Sequence, residues 1–151
     1  MIVRHACLWT LAIVASITPL KAHHSFAAEF DANKEVKATG KVTKVEWMNP
    51  HAWFYVDVGE LCEGPAGSGK SNSWKCAKLD ATQKNGEWGF ELASPNGLMR
   101  LGWTRKSLQI GDVVTVEGTR AKDGGAKGNA RSVMTNTGQR LFAGSSQGTT
   151  P

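Results

Sequence analysis

The chain has 151 residues, enough for one ordinary domain and too few for two comfortable ones. Hydrophobic residues make up 40% and charged residues 21%, which excludes a disordered tail and a coiled coil. Three cysteines are too few for a disulfide-built mini-protein, and a formal charge of +5 is only mildly basic.

The first 22 residues have the layout of an export signal. Arg4 and His5 form a short polar start, Ala6 to Ile17 is apolar, and Pro19 breaks a helix near its end. Leu20-Lys21-Ala22 ends in the small residue that signal peptidase needs. A membrane anchor is the alternative, but the apolar run is shorter than the roughly 18 to 20 residues of a span. Cys7 opens the apolar run instead of following it, so it is not placed for lipid attachment. Cleavage after Ala22 would leave residues 23–151 in the periplasm, with no membrane span. The signal carries Arg4 and Lys21 and no carboxylate, so 16 Lys and Arg would face 13 Asp and Glu, a charge of +3. That is not the footprint of a nucleic-acid binder.

Cleavage also leaves two cysteines, Cys62 and Cys76. An even pair in an exported protein reads as one disulfide. It would close a loop of about 15 residues, for which chain entropy gives about 3 kcal/mol. A two-thiol metal site is the rival, but the gap of 13 residues and the lack of a nearby histidine do not fit zinc-ribbon spacing.

In chain order, residues 23–35 read as an irregular segment with Phe26 and Phe30 as packing anchors. A β-branched run begins at Val36, with Gly40 as a bend or bulge. Asn49-Pro50 is a turn signal, and HAWFYVDV after it is the strongest strand of the chain. Residues 59–85, rich in Gly, Ser, Asn and Lys, read as a long loop insertion stapled by the cysteines. A third strand runs from about Glu87 to Ala93, with Trp88, Phe90 and Leu92 on one face. Ser94-Pro95 opens a short helix that Gly102 stops. VVTVEGTRA is the fourth strand, Asp123-Gly124-Gly125 a turn, and Arg131 to Thr135 the fifth strand. The domain ends near Phe142, and residues 143–151 read as a disordered tail. Five short strands with one helix between the third and fourth predict an all-β, antiparallel OB-like barrel over 36–142, with a small β-sandwich as the alternative. A monomer is expected.

Period two divides HAWFYVDV into a core face of Ala52, Phe54, Val56 and Val58 and a second face of His51, Trp53, Tyr55 and Asp57. A face with a histidine, two aromatics and a carboxylate suits a ligand or partner surface. A satellite core, with the N-terminal segment or the long loop over the aromatics, is the alternative. Cleavage creates a further feature. The new chain would begin His23-His24, and a terminal histidine offers both its amine and its imidazole to one metal ion. With a second histidine this makes the three-nitrogen brace that suits Cu(II). His23, His24 and His51 are the three histidines beyond the signal. Glu29, Asp31, Glu46 or Asp57 would add an oxygen ligand or orient an imidazole. The bland alternative is a solvated histidine tail and a hydrogen-bonded strand histidine. Asn49 and Pro50, beside Trp47, read as a structural turn that sets where His51 begins.

Enzyme readings are thin. Three histidines make no convincing Ser-His-Asp set, paired cysteines are not nucleophiles, and the glycines at 64–69 lack the setting of a phosphate loop. AHHSFAAEFD, VEWMNPHAWFYVDV and FELASPNGLMRLGWTRKSLQIGDVVTVEGTRAKDG resemble a set of small exported bacterial proteins grouped as a domain of unknown function. That resemblance covers nearly all of residues 23–151 and implies a periplasmic, β-rich single domain without supplying a reaction. The segment 59–86 is longer than its usual pattern. The histidine start is also similar to that of small periplasmic copper carriers, by compartment, size and terminal residue alone. Three functions follow in order: a non-enzymatic periplasmic protein holding Cu(II) or another divalent metal; a metal-free module gripping a protein, peptide or glycan through Trp53, Tyr55 and Asp57; and a copper-dependent oxidase.

Overall fold

The computed structural model describes residues 26–67, 73–79 and 86–144. Two short helices and seven strands follow in the order α1 (Phe26–Glu29), β1 (Phe30–Glu46), β2 (Trp53–Pro65), β3 (Lys75–Lys78), β4 (Glu87–Glu91), α2 (Pro95–Arg100), β5 (Val113–Ala121), β6 (Lys127–Thr135) and β7 (Arg140–Phe142). The strands form one mixed sheet in which β1, β2, β4, β6 and β5 close a hydrogen-bonded ring. β3 and β7 extend it from β2 and β6.

The expectation of a wholly antiparallel sheet of five strands is corrected here. β4 and β6 run parallel. Parity demands it: antiparallel neighbours alternate in direction, and an odd ring cannot alternate all the way round. The chain reaches β6 from β4 through α2 and β5, long enough a crossover for a parallel pair.

Four boundaries also differ. The segment expected to be irregular holds α1 and the first six residues of β1, because Phe30 is buried and packs at a tilt against Phe26, 5.4 Å between ring centroids. The insertion expected to be loop begins as a hairpin. β2 continues to Pro65, and β3 pairs with it through a register that sets Cys62 opposite Cys76. These two cysteines form a disulfide. The first four residues of β6, from Lys127, precede the expected start. Ala143, expected in a disordered tail, is buried, and its carbonyl accepts from the Ala93 amide at 3.1 Å. Residues 145–151 lie outside the described residues.

The core follows from period two. Phe54, Val56 and Val58 of β2 meet Val36, Ala38 and Val42 of β1, Trp88 and Phe90 of β4, Val114 and Val116 of β5, and Val133 of β6. Phe54 and Phe90 are register partners with centroids 5.6 Å apart. Burying each contributes about 2 to 3 kcal/mol. α2 begins where the sequence says. The Ser94 hydroxyl accepts from the Gly97 amide at 3.3 Å, Pro95 occupies the first turn, and Leu98 enters the core. Trp103 follows, donating from its indole to the Phe142 carbonyl at 2.8 Å.

Two glycines let the strands coil. Opposite Gly40 the β1–β2 register slips past Gly59, and opposite Gly118 the β5–β6 register slips past Arg131. Both are bulges. A Cβ on Gly40 would lie 2.1 Å from the Asp57 carbonyl oxygen, and one on Gly118 2.1 Å from that of Asn129. Only hydrogen fits at either point. Among the described residues, no helix is long and apolar enough to cross a membrane.

Candidate functional site

A groove of about 650 Å³ runs over the outer face of β2, β4 and the start of β6. Trp53 and Tyr55 alternate outward from β2, half-buried, while Phe54 and Val56 point to the core. Gly89 of β4 makes room for them. A Cβ there would meet Tyr55 Cε1 at 3.2 Å and Trp53 Cε3 at 3.7 Å. The two rings therefore form a floor lying against the β4 backbone. Glu29 of α1, Met48 and His51 of the β1–β2 connection, and Lys127 stand at its walls.

His51 leads into β2 after the Asn49–Pro50 turn, whose peptide bond is cis. Its Nδ1 contacts Glu91 Oε1. The other oxygen of Glu91 accepts from Asn129 Nδ2 at 3.2 Å. Glu91 and Asn129 are both buried, and they face each other in the parallel β4–β6 register. His51 is itself 32% exposed at its side chain. A buried carboxylate thus fixes one ring nitrogen, and Nε2 lies on the opposite edge of the ring. Such a carboxylate–histidine pair sets the tautomer and orientation of metal-binding histidines.

A second network lines the far wall. The Tyr55 hydroxyl donates to Glu46 Oε2 at 3.0 Å, and Lys44 pairs with the other oxygen of Glu46. The Lys44 ammonium also sits 4.9 Å from the centre of the Tyr55 ring. Hydrogen bonds from Lys44 and Tyr55 lower the Glu46 pKa, and the bond to Glu46 raises that of Lys44. Burial, then the bond and charge of Glu46, raise the Tyr55 pKa above its ordinary value. Glu87 accepts from the Thr43 hydroxyl at 2.9 Å. Four carboxylates, Glu29, Glu46, Glu87 and Glu91, line the groove against His51 and Lys127, and Lys127 is drawn toward Asp123 at 3.1 Å. The groove is acidic on a chain of net charge +5.

The residues singled out from the sequence separate into three groups. His51, Trp53 and Tyr55 come together, with Glu29 and Glu46. Asp57 is exposed and does not line the groove, and Asp31 instead accepts from the Asn33 amide at 3.0 Å. His23 and His24 lie outside the described residues. Among the described residues, no three His, Cys, Asp or Glu side chains converge to hold a metal ion. Sequence reasoning missed Glu87, Glu91 and Asn129. Glu91 follows Phe90 in an apolar strand, and a carboxylate flanked by Phe90 and Leu92 was the one available signal.

No curated protein matches the chain, and no solved structure does. Residues 11–77 and 70–131 match a family described only as a family of unknown function (DUF6152), and with most of its length covered the chain belongs to that family.

Proposed function

We propose that this is an exported, periplasmic metal-binding protein. Its signal is cut after Ala22, and the new N-terminus at His23, with His24 and His51, holds Cu(II) or another divalent ion. Binding, not catalysis, is its role. The observation that carries the reading is the Glu91–His51 contact. A histidine meant only to be solvated does not need a buried carboxylate behind it, itself held by a buried asparagine. Chain length supports the same reading. Glu29 stands on the groove wall with His51, and His24 precedes it by five residues, within roughly 17 Å of chain even when fully extended. The scaffold is an OB-like barrel on this reading. The ring order β1-β2-β4-β6-β5, with α2 between its third and fourth strands along the chain, supports it, and so does the groove on the β2–β4 face.

The test is titration of the chain beginning at His23 with Cu(II), followed by calorimetry and EPR. Tight one-to-one binding with a nitrogen-rich signal is expected. One extra residue before His23 abolishes it, and His51→Ala removes it. Glu91→Gln keeps the shape of the side chain and weakens affinity about tenfold or more. Affinity unchanged by His51→Ala would sink the site.

The aromatic floor and the four groove carboxylates favour one second reading, a metal-free module that takes a cationic segment of a partner protein or peptide. It expects Trp53→Ala to abolish capture of a basic peptide while the fold survives, with or without copper.

A further inference from the structure

We infer that the Cys62–Cys76 bridge is a site of thiol–disulfide exchange, attacked at Cys76 by a protein dithiol, and that its reduction unlatches β3 while the strand ring stays closed. The inference does not depend on the copper reading. β3 is the terminal strand of the sheet; its four residues are all exposed, and they pair with β2 alone. The two sulfurs therefore differ in access. Cys76 is exposed on that outer strand, whereas Cys62 is 6% exposed. Beyond Cys76 the sheet ends among the described residues, whereas on the other side of Cys62 stands its register partner Lys37 on β1. Displacement at a disulfide runs in line, with the incoming thiolate opposite the sulfur that leaves, and access decides which sulfur is attacked. The open edge of the sheet presents Cys76.

The bridge holds little else in place. Apart from its pairing with β2, β3 is tied by the Leu79 amide, which donates to the Gly59 carbonyl at 2.9 Å, and by the half-buried Leu79 side chain. A short two-stranded pairing is marginal by itself. Cys62 keeps its place on β1 without the bridge, because residues 60–63 of β2 are paired there. None of the pairings that close the ring includes β3. Release of β3 has one local consequence. Lys75 lines a second cavity of about 610 Å³ together with Lys34, Arg120 and Lys122, and an open latch withdraws it from that basic cluster.

The step balances. A thiolate of the partner bonds to Cys76 Sγ, the bond between the two cysteines breaks, and Cys62 leaves as a thiolate that takes a proton. The partner's second thiol then displaces Cys76. Two electrons pass to the bridge, the partner's dithiol becomes a disulfide, and Cys62 and Cys76 become thiols.

The experiment uses the oxidised chain beginning at His23, which lacks Cys7. It is mixed with a Cys-X-X-Cys protein whose second cysteine is serine, so that the mixed disulfide accumulates. Samples are quenched in acid and mapped by peptide mass. In native buffer the adduct is expected on Cys76 in about tenfold or greater excess over Cys62. In concentrated urea that preference disappears. A small dithiol is expected to reduce the native chain at a rate that stays flat in urea below the unfolding midpoint. Hydrogen exchange in the reduced chain is expected to speed at Lys75–Lys78 and to remain slow in β4 and β5. An adduct mainly on Cys62 overturns the inference, as does a preference for Cys76 that persists in urea. Reduction only where urea unfolds the ring, or lost protection in β4 and β5 on reduction, also overturns it.

Discussion

Gly40→Ala is the sharpest test of how the strands are coiled. The added carbon would lie 2.1 Å from the Asp57 carbonyl oxygen and 2.8 Å from Val58 Cα, where ordinary contact begins near 3.4 Å. Both obstacles are backbone, so no side chain can swing away. β1 and β2 must part by more than about 1 Å, which breaks roughly two ladder hydrogen bonds at about 1 kcal/mol each. Residual overpacking adds about 1 to 2 kcal/mol. The smaller unfolded-state entropy of alanine returns about 0.5 kcal/mol. The net loss is about 3 kcal/mol, a large share of the roughly 5 to 15 kcal/mol typical of a domain. With a urea slope of about 1.5 kcal/mol/M, the unfolding midpoint falls by roughly 2 M. Gly59→Ala on the facing strand is the internal control. Its new carbon meets nothing closer than the Thr39 carbonyl oxygen at 4.0 Å, and its midpoint stays within about 0.5 M of the parent. Equal midpoints for the two variants would refute the close strand approach at Gly40.

Other outcomes follow from the same structure. Tyr55 is the chain's one tyrosine, so ultraviolet titration of the phenolate reports it alone. Its midpoint lies above 10, and Glu46→Gln moves it back toward the ordinary value; a parent midpoint at or below 10 contradicts the Glu46 network. Because the folded pKa is raised, the contribution of Tyr55 to stability is complete below pH 10 and fades as the pH climbs through that midpoint. For the lowered Glu46 the sign reverses: its contribution is present above the ordinary carboxylate range and is lost as acid protonates it. Replacing Cys62 and Cys76 by alanine together frees β3, whose four residues are all exposed and pair with β2 alone. Hydrogen exchange speeds at Lys75–Lys78 while the β4 and β5 amides stay protected, and melting falls by less than the roughly 10 °C that about 3 kcal/mol of chain entropy would produce. Loss of protection throughout would show that the hairpin supports the ring.

Much of the scaffold was legible because its signals are local. Alternation in HAWFYVDV, the Ser94-Pro95 cap, the cysteine pair and the bulge at Gly40 each depend on a few neighbouring residues. β3 was hidden because a strand exposed along its whole length needs no apolar alternation; pairing and the disulfide hold it. The parallel β4–β6 pair was hidden for a different reason. Ring parity is a global property, although counting five closed strands would have required it. At the groove, His51, Trp53 and Tyr55 share one strand face and could be read together. Glu91 and Asn129 are 38 residues apart, and only folding makes them partners.

The parallel pair has one more consequence. Three residue pairs close the ring there, Gly89 with Lys127, Phe90 with Gly128 and Glu91 with Asn129. The last of these is also the support of His51. β2–β4 pairing brings Glu91 beside His51, and ring closure then adds the Asn129 bond that holds Glu91. While the ring is open, Glu91 lacks its Asn129 donor, and His51 lacks that backing. Mass action then works in reverse: a ligand that grips His51 at a hundred times its dissociation constant holds the ring shut by about 2.7 kcal/mol. The shortest link in the ring becomes the place where a bound ligand would add to the stability of the fold.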